Sequence, residues 1–223
     1  MPVVCKLTKD FEMDAEVSSS NKTMIPVWDP IVRVGHWVIV IAFTIAYLTE
    51  GEPEWLHTWA GYAIAIVVAF RVLWGFIGPK HARFSDFVTG PFAVLAYLRG
   101  LIARTSKRYV GHSPAGGAMT VALLAMLAVA TFSGMANLAA EEGEGPLAGI
   151  ISLSSTAGED HSSGEREDDD DRSRGENFWE EIHEVSANVT LIFVLFHLGG
   201  VALASIVHRE NLPRSMVTGR KRS

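Results

Sequence analysis

Four long apolar stretches constrain this chain more than any other feature of its sequence. Three of them are long enough to cross a hydrocarbon core of about 30 Å as helices, which takes roughly 20 residues: Pro30 to Leu48, Leu56 to Ile77 and Gly116 to Ala139. The fourth, Ile182 to Val207, is polar only in its first turn and at His197. Because the charged residues lie between these stretches, the pattern predicts an all-α integral membrane protein, a bundle of four transmembrane helices.

The distribution of charge predicts how the spans are oriented. Lys and Arg are concentrated between the second and third spans and after the fourth, whereas the Gly51–Trp55 turn and residues 141–177 are acidic. By the positive-inside rule, we expect both termini in the cytoplasm and the acidic connections on the other side. The predicted organisation is a cytoplasmic extension (1–29), a membrane domain (30–207) containing the acidic non-cytoplasmic loop (141–177), and a basic cytoplasmic tail (208–223).

Three shorter segments carry weaker expectations. The low-complexity acidic stretch within residues 141–177 favours a solvated loop, and a docking surface for a basic soluble partner is the alternative. Phe92 to Ile102 is amphipathic and predicts a helix along the cytoplasmic interface. Met1 to Asp29 is polar and of mixed charge, so we expect no cleaved signal peptide. The lone Cys5 and the absence of a CxxCH motif mean that any haem is held noncovalently.

Four of the eight histidines lie where the membrane interior would make an ionisable group costly without a partner or a metal. They are His36, His57, His183 and His197. With a rise of about 1.5 Å per residue, His183 and His197 lie about 21 Å apart on one helix and within roughly 40° of the same face. The remaining four, His81, His112, His161 and His208, lie in connections or at the cytoplasmic edge, where an ordinary surface role is expected.

The depths of these histidines predict two stacked sites. The first span places His36 toward the cytoplasm and the second begins with His57 at the outer surface, so His57 pairs with His183 and His36 with His197. Two neutral imidazoles from different helices are what an axially bound b-type haem needs, one on each side of the iron. A zinc site usually has four ligands close together, and a proton relay would interleave carboxylates, so two haems b are the favoured interpretation.

Arg71 follows His57 by fourteen residues on the second span and therefore faces the same way at the lower level. A buried arginine needs an anion, and a haem propionate near the cytoplasmic haem is one candidate. The alternative is that Arg71 extends to the cytoplasmic headgroups, because the span ends about six residues later.

Five blocks of this sequence, in this order, resemble the bacterial cytochrome b561 family, which includes the b-type cytochrome subunits of nickel-iron hydrogenases. They are VWDPIVRVGHW, WLHTWAGYAIAIVVAFRVLWGFIGP, RYVGHSPAGGAM, EIHEVSANVTLIFVLFHLGG and HRENLPRSMVTGRKR. The resemblance covers roughly residues 27–222, and the four intramembrane histidines match the family's haem-ligand positions. It implies a multi-pass protein of the bacterial inner membrane. The polar N-terminal extension and the long acidic loop depart from the usual pattern.

The resemblance implies a di-haem cytochrome that transfers electrons between the quinone pool and a redox partner. Candidate partners are quinone, the lipid bilayer, a soluble c-type cytochrome and a dehydrogenase subunit, with no nucleic acid. Quinone-linked oxidoreductase activity of its own stays open. One alternative is a haem-bearing anchor subunit of a dehydrogenase or hydrogenase complex, and another is a histidine-based metal or proton transporter.

Overall fold

The computed structural model describes residues 24–49, 52–79, 82–150 and 167–222. Its elements follow one another along the chain: β1 Met24–Pro26, α1 Pro30–Thr49, α2 Glu54–Ile77, α3 Phe84–Phe87, α4 Pro91–Ile102, α5 Pro114–Glu141, α6 Glu167–His208, α7 Leu212–Thr218 and β2 Arg220–Arg222. Four of these helices are long and apolar enough to cross a membrane: α1, α2, α5 and the Phe178–His208 part of α6. The prediction of a helical membrane protein with four spans is confirmed, and each span agrees with its predicted limits to within about four residues.

Two spans begin at the residues that cap them. Asp29 Oδ1 accepts hydrogen bonds from the backbone N–H groups of Ile31 at 2.9 Å and Val32 at 3.3 Å. Ser113 Oγ accepts the N–H of Gly116 at 3.2 Å, and a proline follows each cap at the first helical position. A side-chain oxygen before a proline satisfies N–H groups that the helix cannot. The motifs WDP and HSP therefore set where α1 and α5 start.

The four spans pack in chain order, α1 against α2, α2 against α5, and α5 against α6. The buried core formed by the first three consists of Ala42, Ala60, Ile64, Val68 and Leu127. Ser133 of α5 and Thr190 of α6 are the largest fully buried side chains of the described residues, so small residues let these two helices approach closely. A hydrogen bond of 3.1 Å from Tyr47 Oη to Asn188 Oδ1 connects α1 with α6.

The bundle has two ends, which we call the loop end and the tail end. The α1–α2 connection and residues 142–150, which follow α5, lie at the loop end. The strands, α3, α4 and α7 lie at the tail end. Residues 212–222, which belong to the predicted basic tail, form α7 and β2. Their strand β2 pairs with β1 antiparallel, Met24 opposite Arg222 and Pro26 opposite Arg220.

Further contacts hold this tail against the start of α1, and we call residues 24–28 and 212–222 the tail clasp. Gly219 O accepts the N–H groups of Val27 at 2.9 Å and Trp28 at 3.2 Å. Arg33 donates to Met216 O at 3.1 Å and also to the carbonyl of Val217. Gly219 has a φ of 76°, a left-handed conformation that favours glycine. The clasp therefore fixes both chain segments that flank the bundle at its tail end.

The last part of the predicted acidic loop 141–177 is helical, because α6 begins at Glu167, ahead of the fourth span. The preceding part of that loop, residues 151–166, lies outside the described residues, as do residues 1–23 of the N-terminal extension. A helix is present at the predicted position 92–102, as α4.

Candidate functional site

His57 of α2 and His183 of α6 lie face to edge at the loop end, and we call them the loop-end pair. Their ring centroids are 5.9 Å apart and their planes are inclined at 80°. Across a metal ion, bonds of about 2 Å to each imidazole nitrogen and roughly 1 Å more to each ring centre would put the centroids about 6 Å apart. The separation of the two rings therefore fits one metal ion held between them.

Hydrogen bonds of the other ring nitrogens orient both imidazoles. His57 Nδ1 lies 2.9 Å from Ala46 O of α1, and His183 Nδ1 lies 2.8 Å from Ala130 O of α5. A carbonyl can only accept, so each Nδ1 carries the proton and donates it, which leaves Nε2 as a lone-pair donor. Metal-bound histidines commonly donate their other N–H to a carbonyl in this way. Each ring of the loop-end pair is thus in the tautomer that binds a metal.

Glycines make room around these rings. A Cβ added to Gly134 would lie 2.9 Å from His183 Cε1 and 3.0 Å from His183 Nδ1, so only glycine lets this ring lie against α5. Gly61 is one turn after His57, and a Cβ there would meet nothing within 4 Å. The first glycine supports the ring, and the second borders open space beside the other ligand.

His36 of α1 and His197 of α6 form the tail-end pair. They are near enough to interact electrostatically. His36 Nδ1 is buried and has no hydrogen-bond partner. Buried ring nitrogens are normally bonded, so an orphan nitrogen here fits a site that needs a further group to complete it. Gly199 and Gly200, just after His197, border open space, because a Cβ on either would meet nothing within 4 Å.

Arg71 is buried at the tail end, with 9% of its surface exposed. Both of its terminal guanidinium nitrogens are buried without a hydrogen-bond partner. Its Cζ lies 5.3 Å from the ring centroid of Phe84 and 5.9 Å from that of Phe87. The guanidinium is therefore covered by the aromatic rings of α3, which follows the second span. A buried cation lacking hydrogen bonds calls for an anion, which fits a carboxylate such as a haem propionate.

Trp74 is a residue that the sequence interpretation missed. Its Nε1 is buried without a hydrogen-bond partner, one turn after Arg71 on α2. Its place near a span end predicts only anchoring at the membrane interface. In the sequence, the signal for its role was its position three residues after Arg71, because residues i and i+3 are neighbours on a helix surface.

Of the other four histidines, the structure describes two. His112 lies between Trp28 and Phe87, at centroid distances of 4.8 Å and 4.4 Å. His208 Nε2 is 3.4 Å from Tyr97 Oη and 3.5 Å from Ser106 Oγ. Both contacts belong to the packing of the tail end. His81 and His161 lie outside the described residues.

No group of three or more His, Cys, Asp or Glu side chains comes together as a metal site anywhere in the described ranges of the chain. Structural zinc sites usually combine four such ligands. The described residues thus provide two pairs of imidazoles at two levels of the bundle, which is suited to axial ligation of planar iron cofactors.

Comparison with known proteins agrees with this chemistry. A family model described as prokaryotic cytochrome b561 matches residues 27–219. A protein of Azotobacter chroococcum mcd 1 is 24% identical over 241 residues, covering 92% of each chain, and one of Rhodobacter capsulatus is 21% identical over 255 residues, covering 97% of this chain and 88% of that one. Both carry the name "Probable Ni/Fe-hydrogenase B-type cytochrome subunit". No solved structure matches this chain.

Proposed function

Since the chain belongs to the prokaryotic cytochrome b561 family and is a membrane b-type cytochrome, we propose that it holds two haems b and passes single electrons between the quinone pool and a redox partner. His57 and His183 would hold one haem, and His36 and His197 the other. The observation that carries this proposal is the loop-end pair, with centroids 5.9 Å apart and both Nδ1 atoms bonded to backbone carbonyls.

Haem iron between two histidines supplies one-electron oxidation and reduction when bound. The protein fixes the ring orientations through the carbonyls of Ala46 and Ala130. Such hydrogen bonds raise the basicity of the ligating nitrogen, which favours the oxidised metal.

The spacing on α6 supports transfer between the two sites. His183 and His197 are fourteen residues apart on one continuous helix, which corresponds to about 21 Å along its axis. The two macrocycles would fill part of that distance, so electrons could pass between them without a moving element.

Arg71 and Trp74 would bind the propionates of the tail-end haem. Both present buried N–H groups that lack a partner. An arginine fork matches a carboxylate with two parallel hydrogen bonds. Neutralising a propionate in the interior would also lower the cost of burying both charges.

The charge of the described ends supports an orientation with the tail end in the cytoplasm. Residues 82–108, at the tail end, contain five Lys or Arg residues and one acid, whereas residues 141–144, at the loop end, contain three acids and no Lys or Arg. Cytoplasmic segments carry an excess of Lys and Arg. On this placement the loop-end haem lies near the outer surface, where a soluble c-type cytochrome or a dehydrogenase subunit could exchange electrons with it.

A second candidate function is that of a haem-bearing anchor subunit of an enzyme complex. The names of the relatives favour it, since they are B-type cytochrome subunits of Ni/Fe-hydrogenases. The four histidines would bind the haems in both cases. The two functions would differ in the electron donor, which in the second is the partner enzyme of the complex. Purification from mild detergent with a second redox protein bound in a fixed ratio would support the anchor role.

Electron transfer can be tested in proteoliposomes that contain trapped ferricyanide, with a reduced quinol analogue outside. We expect the wild-type protein to accelerate ferricyanide reduction and His36→Ala to abolish the acceleration. His208→Ala serves as the control, because His208 contacts Tyr97 and Ser106 at the tail end. A haem-loaded wild type that is no faster than empty vesicles would refute transfer across the membrane.

A further inference from the structure

A cavity of about 750 Å³ lies at the tail end, directly after the last turn of α6. We call it the tail cavity. Its lining residues are Glu210, Asn211, Leu212, Arg214, Ser215, Thr218, Arg220 and Lys221. Because α6 spans the membrane up to His208, a cavity that begins two residues later lies at the level of the lipid headgroups.

The charge of the tail cavity is strongly positive. Three of its lining residues are cations and one is an acid, Glu210. That carboxylate is already bound by Arg108, whose Nε and second terminal nitrogen lie 3.0 Å and 2.5 Å from Oε1. Within the part of the chain that the structure describes, neither Arg214 nor Arg220 forms an ion pair. The cavity therefore has cationic groups available for an anion.

Lys221 is held in a fixed position within the tail cavity. It is held by the strand pairing of the tail clasp, opposite Ile25, and only 7% of its surface is exposed. Its Nζ makes one long hydrogen bond of 3.4 Å to Gly111 O and lies 5.3 Å from the ring centroid of Trp28. Burial lowers the pKa of this ammonium, against the opposite effect of Glu210. An anion in the cavity would offset the cost of burying the charge.

We propose that the tail cavity binds the phosphate headgroup of an anionic phospholipid. Arginine forks bind phosphate oxygens in pairs and a lysine adds a point charge, and basic pockets at the membrane surface take anionic headgroups in this way. Ile206, in the last turn of α6 just before the cavity, and Val217 of α7, the helix that lines it, are exposed apolar side chains. They provide the surface that the acyl chains of a lipid, unlike a free phosphate ion, would cover.

The test is lipid binding to the delipidated, full-length, haem-loaded protein in detergent, followed by native mass spectrometry. Dioleoylphosphatidylglycerol should bind more tightly than dioleoylphosphatidylcholine in the wild type. The double variant Arg214→Gln/Arg220→Gln should lose about 25-fold in affinity for phosphatidylglycerol, because each cation near an anionic surface contributes roughly a factor of five. The matched control is Arg99→Gln/Arg104→Gln, which removes two exposed arginines at the tail end outside the cavity.

Three results would overturn the proposal. One is equal affinity of the wild type for both lipids. Another is an equal loss of affinity in the control and cavity variants, which would mean a diffuse surface effect. The third is stabilisation of the wild type by inorganic phosphate alone to the same extent as by phosphatidylglycerol, which would make the ligand a free anion. Thermal unfolding in phosphatidylcholine nanodiscs checks that the cavity variant remains folded, and haem content, an independent readout, should not change.

Discussion

The substitution Gly134→Ala tests whether the close contact between α5 and the His183 ring positions this ligand at the loop-end site. The added Cβ would stand 2.9 Å from Cε1 and 3.0 Å from Nδ1 of His183, closer than atoms normally approach without a hydrogen bond. The ring would have to shift away from α5. The hydrogen bond of 2.8 Å from His183 Nδ1 to Ala130 O would then lengthen or break. The substitution therefore changes the orientation of one haem ligand, His183, and removes none of the four histidines.

The expected magnitude follows from the role of that hydrogen bond. Loss of a partner that orients a metal ligand typically weakens metal affinity about 10- to 100-fold, which is about 1.4 to 2.7 kcal/mol. Alanine is a better helix former than glycine by about 1 kcal/mol, so α5 itself should not be weakened. We expect faster loss of the loop-end haem and a higher reduction potential for it, because a less basic imidazole stabilises oxidised iron less.

The assays are haem release to apomyoglobin and a redox titration followed in the visible spectrum. The control is Gly90→Ala, at a glycine in the connection before α4 where an added Cβ meets nothing within 4 Å. The tail-end haem should keep its wild-type potential in both variants. Wild-type release kinetics and potentials in Gly134→Ala would refute the idea that the Ala130 carbonyl and Gly134 position His183.

Three further predictions concern other parts of the molecule. Gly219→Ala should lower the free energy of unfolding by at least about 1 to 2 kcal/mol, which is the cost of placing a residue with a Cβ in the left-handed conformation. The added Cβ would also lie 2.6 Å from the Arg33 guanidinium, which adds to that cost. An unchanged thermal midpoint would show that the tail clasp adds no stability. Arg71→Gln should shift the potential of the tail-end haem and leave the other unchanged, and equal shifts of both would contradict its placement beside one propionate. A hydrogen bond with the Glu54 side chain and nearby acidic charges raise the pKa of Glu142 above 4.5. The stabilising contribution of Glu142 is therefore present below that pH and is lost as pH rises through the raised pKa. Glu142→Gln should flatten this pH dependence of the thermal midpoint, and an unaltered pH profile would show that the hydrogen bond with Glu54 does not act on stability.

The spans could be predicted from sequence because membrane helices depend on long apolar runs that are local in the chain. Pro30, Glu54 and Pro114 begin helices within a few residues of the predicted starts. The levels of His183 and His197 followed from the geometry of a single helix. In the structure, the ring of His57 lies 5.9 Å from that of His183.

The tail clasp could not be predicted in the same way. Its contacts join residues nearly two hundred positions apart, such as Val27 N–H to Gly219 O, and strands of three residues have no detectable periodicity. A local signal did exist for α7, since Asn211 caps it, a proline follows, and Gly219 ends it in a left-handed conformation. Likewise, the sequence does not single out Gly134, because only the position of the His183 ring shows why a glycine is needed there.

Haem stoichiometry in single-ligand variants tests the central claim most directly. The purified wild type, assayed by pyridine haemochrome absorbance per mole of protein, should contain two haems per chain. His57→Ala should retain one haem, and His36→Ala should retain the other, with a different spectrum and potential. His183→Ala and His57→Ala should lose the same haem. One haem in the wild type, or two haems in either His57→Ala or His36→Ala, would contradict the assignment of two paired sites.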